Sequence, residues 1–156
     1  MKIKMIAALS IATAASLPLA AVASACGGGG DVPANYEFIT PSGNIVCDFY
    51  ADNVGASCEI REHTWVVPAA TRGPEGRACD FSFGGLSFSV SHAKPARLGC
   101  YEGVSSFFGN DQQTLDYGQT MSRGAMTCTS EVSGVTCTDT GTGHYFRVSR
   151  EDYELG

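Results

Sequence analysis

The sequence predicts an all-β fold: a small antiparallel sandwich or open barrel, built from hairpins and stapled by disulfides. Three observations predict it. Short runs rich in β-branched and aromatic residues are separated by Gly, Pro, Asn and Asp, and no run keeps a helical period for long. Cysteines twice flank a turn at hairpin spacing, Cys47 with Cys58 and Cys128 with Cys137. Large apolar residues are scarce: Leu, Ile, Val and Phe make up only about 19% of the residues after Ala25, close to the level at which chains fail to fold unaided. A thin core held by cross-links is the solution that small exported domains adopt.

The first 25 residues account for themselves. Lys2 and Lys4 form a positive opening, residues 5–17 are uncharged and apolar, Pro18 breaks any helix, and small residues lead to Cys26. That is the order of a signal peptide over 1–25. A membrane-spanning helix over 5–25 would barely reach the ~20 residues a bilayer core needs, and Pro18 argues against it. Ala23-Ser24-Ala25-Cys26 resembles a bacterial lipobox, with Ala23 where Leu is usual. The resemblance implies a lipid on Cys26 and a lipid-anchored place in the cell envelope; ordinary cleavage nearby would give secretion instead. Gly27, Gly28, Gly29 and Gly30 then form a flexible tether over 26–35. Residues 36–156 remain as a single β domain.

Within that domain the candidate strands are 36–40, 44–50, 56–61, 63–67, 81–90, 96–101, 113–117, 125–130, 134–139 and 144–149. Leu86, Phe88 and Val90 alternate with Ser87 and Ser89, which puts the apolar residues on one face. Residues 68–80 and 102–112 read as loops. Setting Cys26 aside leaves six cysteines, an even number suited to an oxidising compartment. If Cys47 opposes Cys58, Ala51 faces Val54 across Asp52-Asn53. If Cys128 opposes Cys137, Glu131 faces Gly134 across Val132-Ser133. Directly opposed strand residues stand about as far apart as a disulfide needs. Cys79 and Cys100 then pair by elimination among the 15 connectivities six cysteines allow.

Charge excludes some functions. Outside the first 25 residues 8 basic residues stand against 16 acidic ones, so nucleic acid and anionic membrane surfaces are poor partners. The chain has three histidines, His63, His92 and His144, and none sits in a zinc-ligand spacing. There is no nucleophile elbow; Gly85-Leu86-Ser87-Phe88-Ser89 ends on Ser where Gly is needed. Nor is there a phosphate-binding loop or a dinucleotide fingerprint. Asp48, Asp52 and Asn53 depart from calcium-loop spacing and read as a polar turn. No catalytic residue, metal or cofactor is therefore expected. His144, at a strand start behind a flexible Gly-Thr run, is the one place where an enzyme reading survives; a structural His there would be buried and bonded to a backbone carbonyl. Phe107-Phe108 and Trp65 read as core.

Thr40-Pro41-Ser42-Gly43-Asn44-Ile45-Val46-Cys47 resembles the opening of a family of uncharacterised exported bacterial proteins, many of them actinobacterial lipoproteins. Leu115-Asp116-Tyr117-Gly118, Cys128-Thr129-Ser130, Gly134-Val135-Thr136-Cys137, Gly143-His144, Phe146, Ser149-Arg150 and Tyr153 resemble its end, with Tyr145 where that family places a second Gly. The resemblance implies an exported envelope domain and no catalytic residue to carry over. The functional expectation is a non-enzymatic module that binds an envelope protein or a glycan, touching the membrane only through its lipid. The alternatives are a secreted inhibitor of a hydrolase and a small secreted hydrolase using His144. Lipidation is tested by metabolic palmitate labelling with and without globomycin. The wild type should take up label, and equal label on Cys26→Ser would refute the anchor.

Overall fold

A computed structural model describes residues 36–50, 52, 54–82, 84–108 and 112–156. The expected signal peptide (1–25) and tether (26–35), with Cys26, lie outside these residues, as do Ala51 and Asn53 of the first hairpin turn. The strands are β1 (Glu37–Ile39), β2 (Ile45–Phe49), β3 (Gly55–Ile60), β4 (Gly84–Ser91), β5 (Lys94–Glu102), β6 (Gln113–Thr114), β7 (Thr120–Arg123), β8 (Met126–Glu131), β9 (Gly134–Asp139), β10 (Tyr145–Val148) and β11 (Tyr153–Leu155). They form two sheets, one of order β5-β4-β3-β2-β1-β6 and one of order β11-β10-β9-β8-β7. Every ladder is antiparallel except β1 with β6. The sheets share no ladder, so the fold is an open sandwich and not a barrel. Among the described residues no helix is long and apolar enough to cross a membrane.

Period two builds the core. β4 buries Leu86, Phe88 and Val90 and turns Ser87 and Ser89 outward. The second sheet answers with Met126 and Cys128 from β8, Val135 and Cys137 from β9, and Phe146 and Val148 from β10. Phe88 and Phe146 meet between the sheets at 5.8 Å, both without exposed surface. Burial of one such ring is worth roughly 1.5–3 kcal/mol.

The disulfides are Cys47–Cys58, Cys79–Cys100 and Cys128–Cys137, the pairs that hairpin spacing predicts. Cys47 opposes Cys58 and Cys128 opposes Cys137, each with Cα atoms about 4 Å apart. Glu131 faces Gly134 across the second turn as expected. Each of these two bridges lies within one sheet.

Some elements differ from the sequence reading. Residues 63–67 alternate like a strand, with Val66 fully outward, but pair with no ladder. Their bonds go to single acceptors: Thr64 N–H donates to Arg150 O at 2.8 Å and Trp65 Nε1 to Ser149 O at 3.2 Å. The segment thus caps the sandwich as a strap, and Trp65 packs against Phe88 and Tyr153. Strand β5 begins at Lys94 and carries Pro95 on the sheet's edge, where a missing N–H is tolerated. β7 and β11, both short edge strands, carry too few apolar residues to be read from pattern.

Gly134 opens β9 at φ +129, and a Cβ there would run into the carbonyl oxygen of Val148. Gly134→Ala therefore meets both backbone strain and a clash with backbone. It should lower stability by at least about 1–3 kcal/mol, read as a drop in the denaturant midpoint with an unchanged slope.

Candidate functional site

The opening and closing segments of the domain converge at one end of the sandwich. Thr40, Ser42 and Asn44 on one side and Gly134, Ser149 and Arg150 on the other line a cleft of about 330 Å³, completed by Arg61, Glu62, Tyr117, Glu131 and Glu151. Local bonding explains each wall. Thr40 is buried; its N–H donates to Ile45 O at 2.9 Å, and its hydroxyl both donates to Ile45 O and accepts from Ile45 N–H at 3.2 Å. Gly43 closes that turn at φ +69. The Asn44 side chain clamps the neighbouring chain, donating to Glu62 O at 2.9 Å and accepting from Glu62 N–H at 2.8 Å. Opposite, Ser149 Oγ accepts from Glu151 N–H and Asp152 N–H and donates to Asp152 O. The tripeptide Ser149-Arg150-Glu151 is thereby turned toward the cleft.

The cleft's charges are mixed. Arg61 lies over the Phe107 ring at 4.5 Å from its centre. Arg150 Nη2 stands 3.8 Å from Glu62 Oε2, both exposed, a pairing too solvated to hold either side chain firmly. Two guanidinium groups and three carboxylates can thus meet a polar, hydrogen-bonding ligand. Beyond Arg61 lies a wider, more open hollow of about 740 Å³, apolar on the Ile60, Tyr101, Val104 and Phe107 side. Phe107 is half-buried at its edge, not core under a loop, and the Phe108 side chain lies outside what is described. The turn that carries it is held by Glu59, whose carboxylate accepts from the Ser105 hydroxyl and from Ser106 Oγ at 3.1 Å.

None of the histidines lines the cleft. The His63 ring stacks on Trp65 at 4.1 Å and bonds Trp65 O through Nδ1 at 2.9 Å, a structural role. His144 is partly exposed and its ring makes no hydrogen bond among the described residues. Its backbone does the holding instead: His144 O accepts from Asp139 N–H at 2.8 Å. The buried, bonded imidazole expected there is not what forms.

The histidine with a carboxylate partner is His92. Its Nδ1 lies 3.3 Å from Oδ2 of Asp139, and Asp139 is wholly shielded while the His92 ring is 59% exposed. Burial pushes the Asp139 carboxyl up, but the N–H of Gly141, the Thr142 hydroxyl, the N–H of Ala93 and the His92 charge outweigh it. The group ends below its ordinary 3.8. Asp139-Thr140-Gly141-Thr142 is an Asx turn legible in retrospect, with Gly141 N–H at 2.9 Å and Thr142 Oγ1 at 2.9 Å on the carboxylate. Ala93, in the tight turn with His92, holds φ +58 and donates to Asp139 Oδ2 at 3.3 Å. The pair could exchange a proton, but among the described residues no hydroxyl bonds the His92 ring.

Among the described residues there is one metal-like cluster. The sulfurs of Cys47, Cys58 and Cys137 lie within 4.8 Å of one another. All three are oxidised in bridges, and a metal needs the thiolate; the cluster is two disulfides packed together.

Asp139→Ala should cost about 1–3 kcal/mol, because its buried donors lose their acceptor, whereas His144→Ala should stay within about 0.5 kcal/mol. The pH dependence has a definite sign. A carboxyl whose folded value is depressed contributes its stability above its unfolded value and loses it as pH falls through the folded one. Thermal melts of the wild type should therefore weaken on acidification below the ordinary carboxylate range, and Asp139→Asn should flatten that limb. Asp48 works the other way: burial first, then Glu37 and Glu59, raise it despite the Ser57 hydroxyl, so acid relieves a cost there.

No curated protein and no solved structure matches the chain. One family profile does, over residues 8–155. That span takes in both walls of the cleft and all three disulfides. The chain belongs to the family of unknown function DUF6636.

Proposed function

We infer that the protein is an exported envelope domain, anchored by a lipid on Cys26, that binds an envelope protein or glycan without performing chemistry. The observation that carries this reading is the end cleft: two arginines and three glutamates on walls fixed by the Thr40, Asn44 and Ser149 bond sets. Walls held by hydrogen bonds, with exposed charged side chains between them, suit recognition of a polar surface. The three disulfides fit an oxidising compartment, and the order of charges, apolar run and small residues before Cys26 fits export. The hydrolase alternative has less support: among the described residues the His144 ring has no hydrogen-bond partner, and neither His92 nor Asp139 lines the cleft.

The test is co-sedimentation of the purified domain with isolated cell envelopes. Arg61→Glu combined with Arg150→Glu should reduce bound protein at least about tenfold, the equivalent of about 1.4 kcal/mol, with an unchanged melting temperature. Protease-treated and periodate-treated envelopes then separate a protein from a glycan partner. Equal sedimentation of variant and wild type would remove the cleft as the site.

A further inference from the structure

The two central bridges touch. Cys58 Sγ on β3 lies 3.7 Å from Cys137 Sγ on β9, and neither residue exposes any surface. Each sulfur is already bonded within its own sheet, to Cys47 and to Cys128. We propose that these four cysteines form one redox unit, in which reduction of either bridge is followed by exchange to an inter-sheet Cys58–Cys137 bond.

The chemistry balances with a dithiol as reductant. The dithiol gives two electrons and two protons to the Cys47–Cys58 bond and leaves as its own disulfide, and Cys47 and Cys58 become thiols. Cys58 loses its proton and the thiolate attacks Cys137 Sγ. A Cys58–Cys137 bond forms, the Cys128–Cys137 bond breaks, and the electron pair departs on Cys128, which takes the proton. Starting from the other bridge, the Cys137 thiolate attacks Cys58 Sγ and expels Cys47. Both routes reach one product: an inter-sheet bridge with thiols at Cys47 and Cys128.

The geometry favours this pair. A bond requires the two sulfurs to close from 3.7 Å to about 2.05 Å, a movement that side-chain rotation shares with a slight approach of the sheets. Sandwiches accept inter-sheet disulfides, as immunoglobulin domains do. The new bridge spans 79 residues of sequence, against 11 and 9 for those it replaces. By loop-closure scaling a loop that much longer constrains the unfolded chain roughly twentyfold more strongly. The two-electron-reduced domain therefore keeps its sheets clamped while freeing two thiols. The attacking species is the thiolate, so exchange accelerates as pH rises.

Cys47→Ser tests the step without reductant, since it leaves the Cys58 thiol beside an intact Cys128–Cys137 bridge. The folded variant is held at mildly alkaline pH, quenched in acid, alkylated after denaturation and mapped without reduction. The label should move from Cys58 to Cys128 and a Cys58–Cys137 peptide should appear, faster at higher pH. Cys128→Ser should give the same bond with the label on Cys47. Should either variant fail to fold, wild-type protein treated with limiting dithiothreitol in native buffer gives the same reading, with scrambling in concentrated guanidinium as the reference pattern. Label that stays on Cys58 with Cys128–Cys137 intact overturns the proposal. So does a mixture in which Cys58–Cys128 is as abundant as Cys58–Cys137, because that is the pattern of an unfolded chain.

Discussion

The contact between the two cross-strand disulfides sets the architecture of this domain. Each bridge fixes the register of one hairpin, and a one-residue slip in either would send every core side chain of that hairpin to solvent. With the registers fixed, Cys58 and Cys137 meet at the centre and Phe88 and Phe146 pack beside them. Sulfur here fills volume that a larger domain would give to Leu or Ile. The scarcity of large apolar residues in the sequence and the burial of four half-cystines in the core are thus one fact seen twice.

From that centre the sheets are tied again at each end. β3 begins at Gly55 near the His92–Ala93 turn, with His92 N–H on Val54 O, and ends at Ile60 beside the cleft. β9 runs from Gly134 at the cleft to Asp139 at the far end. At the far end Asp139 reaches from one sheet to the Ala93 N–H of the other. At the cleft end the strap through Thr64 and Trp65 joins the carbonyls of Arg150 and Ser149. The cleft therefore sits where the sheets are closed by single hydrogen bonds to a strap, and the charged pair sits where they are closed by a buried carboxylate. At the strap end one wall is thus tied to a segment that joins no ladder, while Glu131 and Gly134 opposite are held by the β8–β9 pairing.

How much of this was legible in the sequence follows from the range of each interaction. The hairpins could be read because Thr127-Cys128-Thr129 and Thr136-Cys137-Thr138 alternate locally, sulfur inward and hydroxyl outward, and Thr127 and Thr129 do meet the hydroxyls of Ser122 and Thr120 at 3.0 Å. The strap could be read only halfway. Its alternation is written in His63, Trp65 and Val67, but whether an alternating run joins a ladder depends on a neighbour far along the chain. The cleft was half visible: Thr40, Asn44, Ser149 and Arg150 stood in the segments that carry the family likeness, and the Cys47–Cys58 register sets Arg61 opposite Asn44, but nothing local brings Glu131 or Arg150 to that hairpin. The His92 pair was missed because its partner is 47 residues away. Strand periodicity drew attention to His144, whose ring bonds nothing among the described residues.

The third disulfide obeys a different logic. Cys79–Cys100 spans 21 residues, about twice the separation of either central bridge, so in the chain-entropy account it restricts the unfolded chain most of the three. Yet it fills little of the core. It anchors the 68–80 segment, whose own pairing is reduced to isolated contacts of Arg72 with Ala78 and Gly99, onto edge strand β5. That covers an edge otherwise open to another chain, a recognised hazard of sandwiches. The bridges thus divide two tasks that a hydrophobic core usually performs together: the central pair specifies which residues face inward, and the peripheral one holds down the segment that no ladder holds.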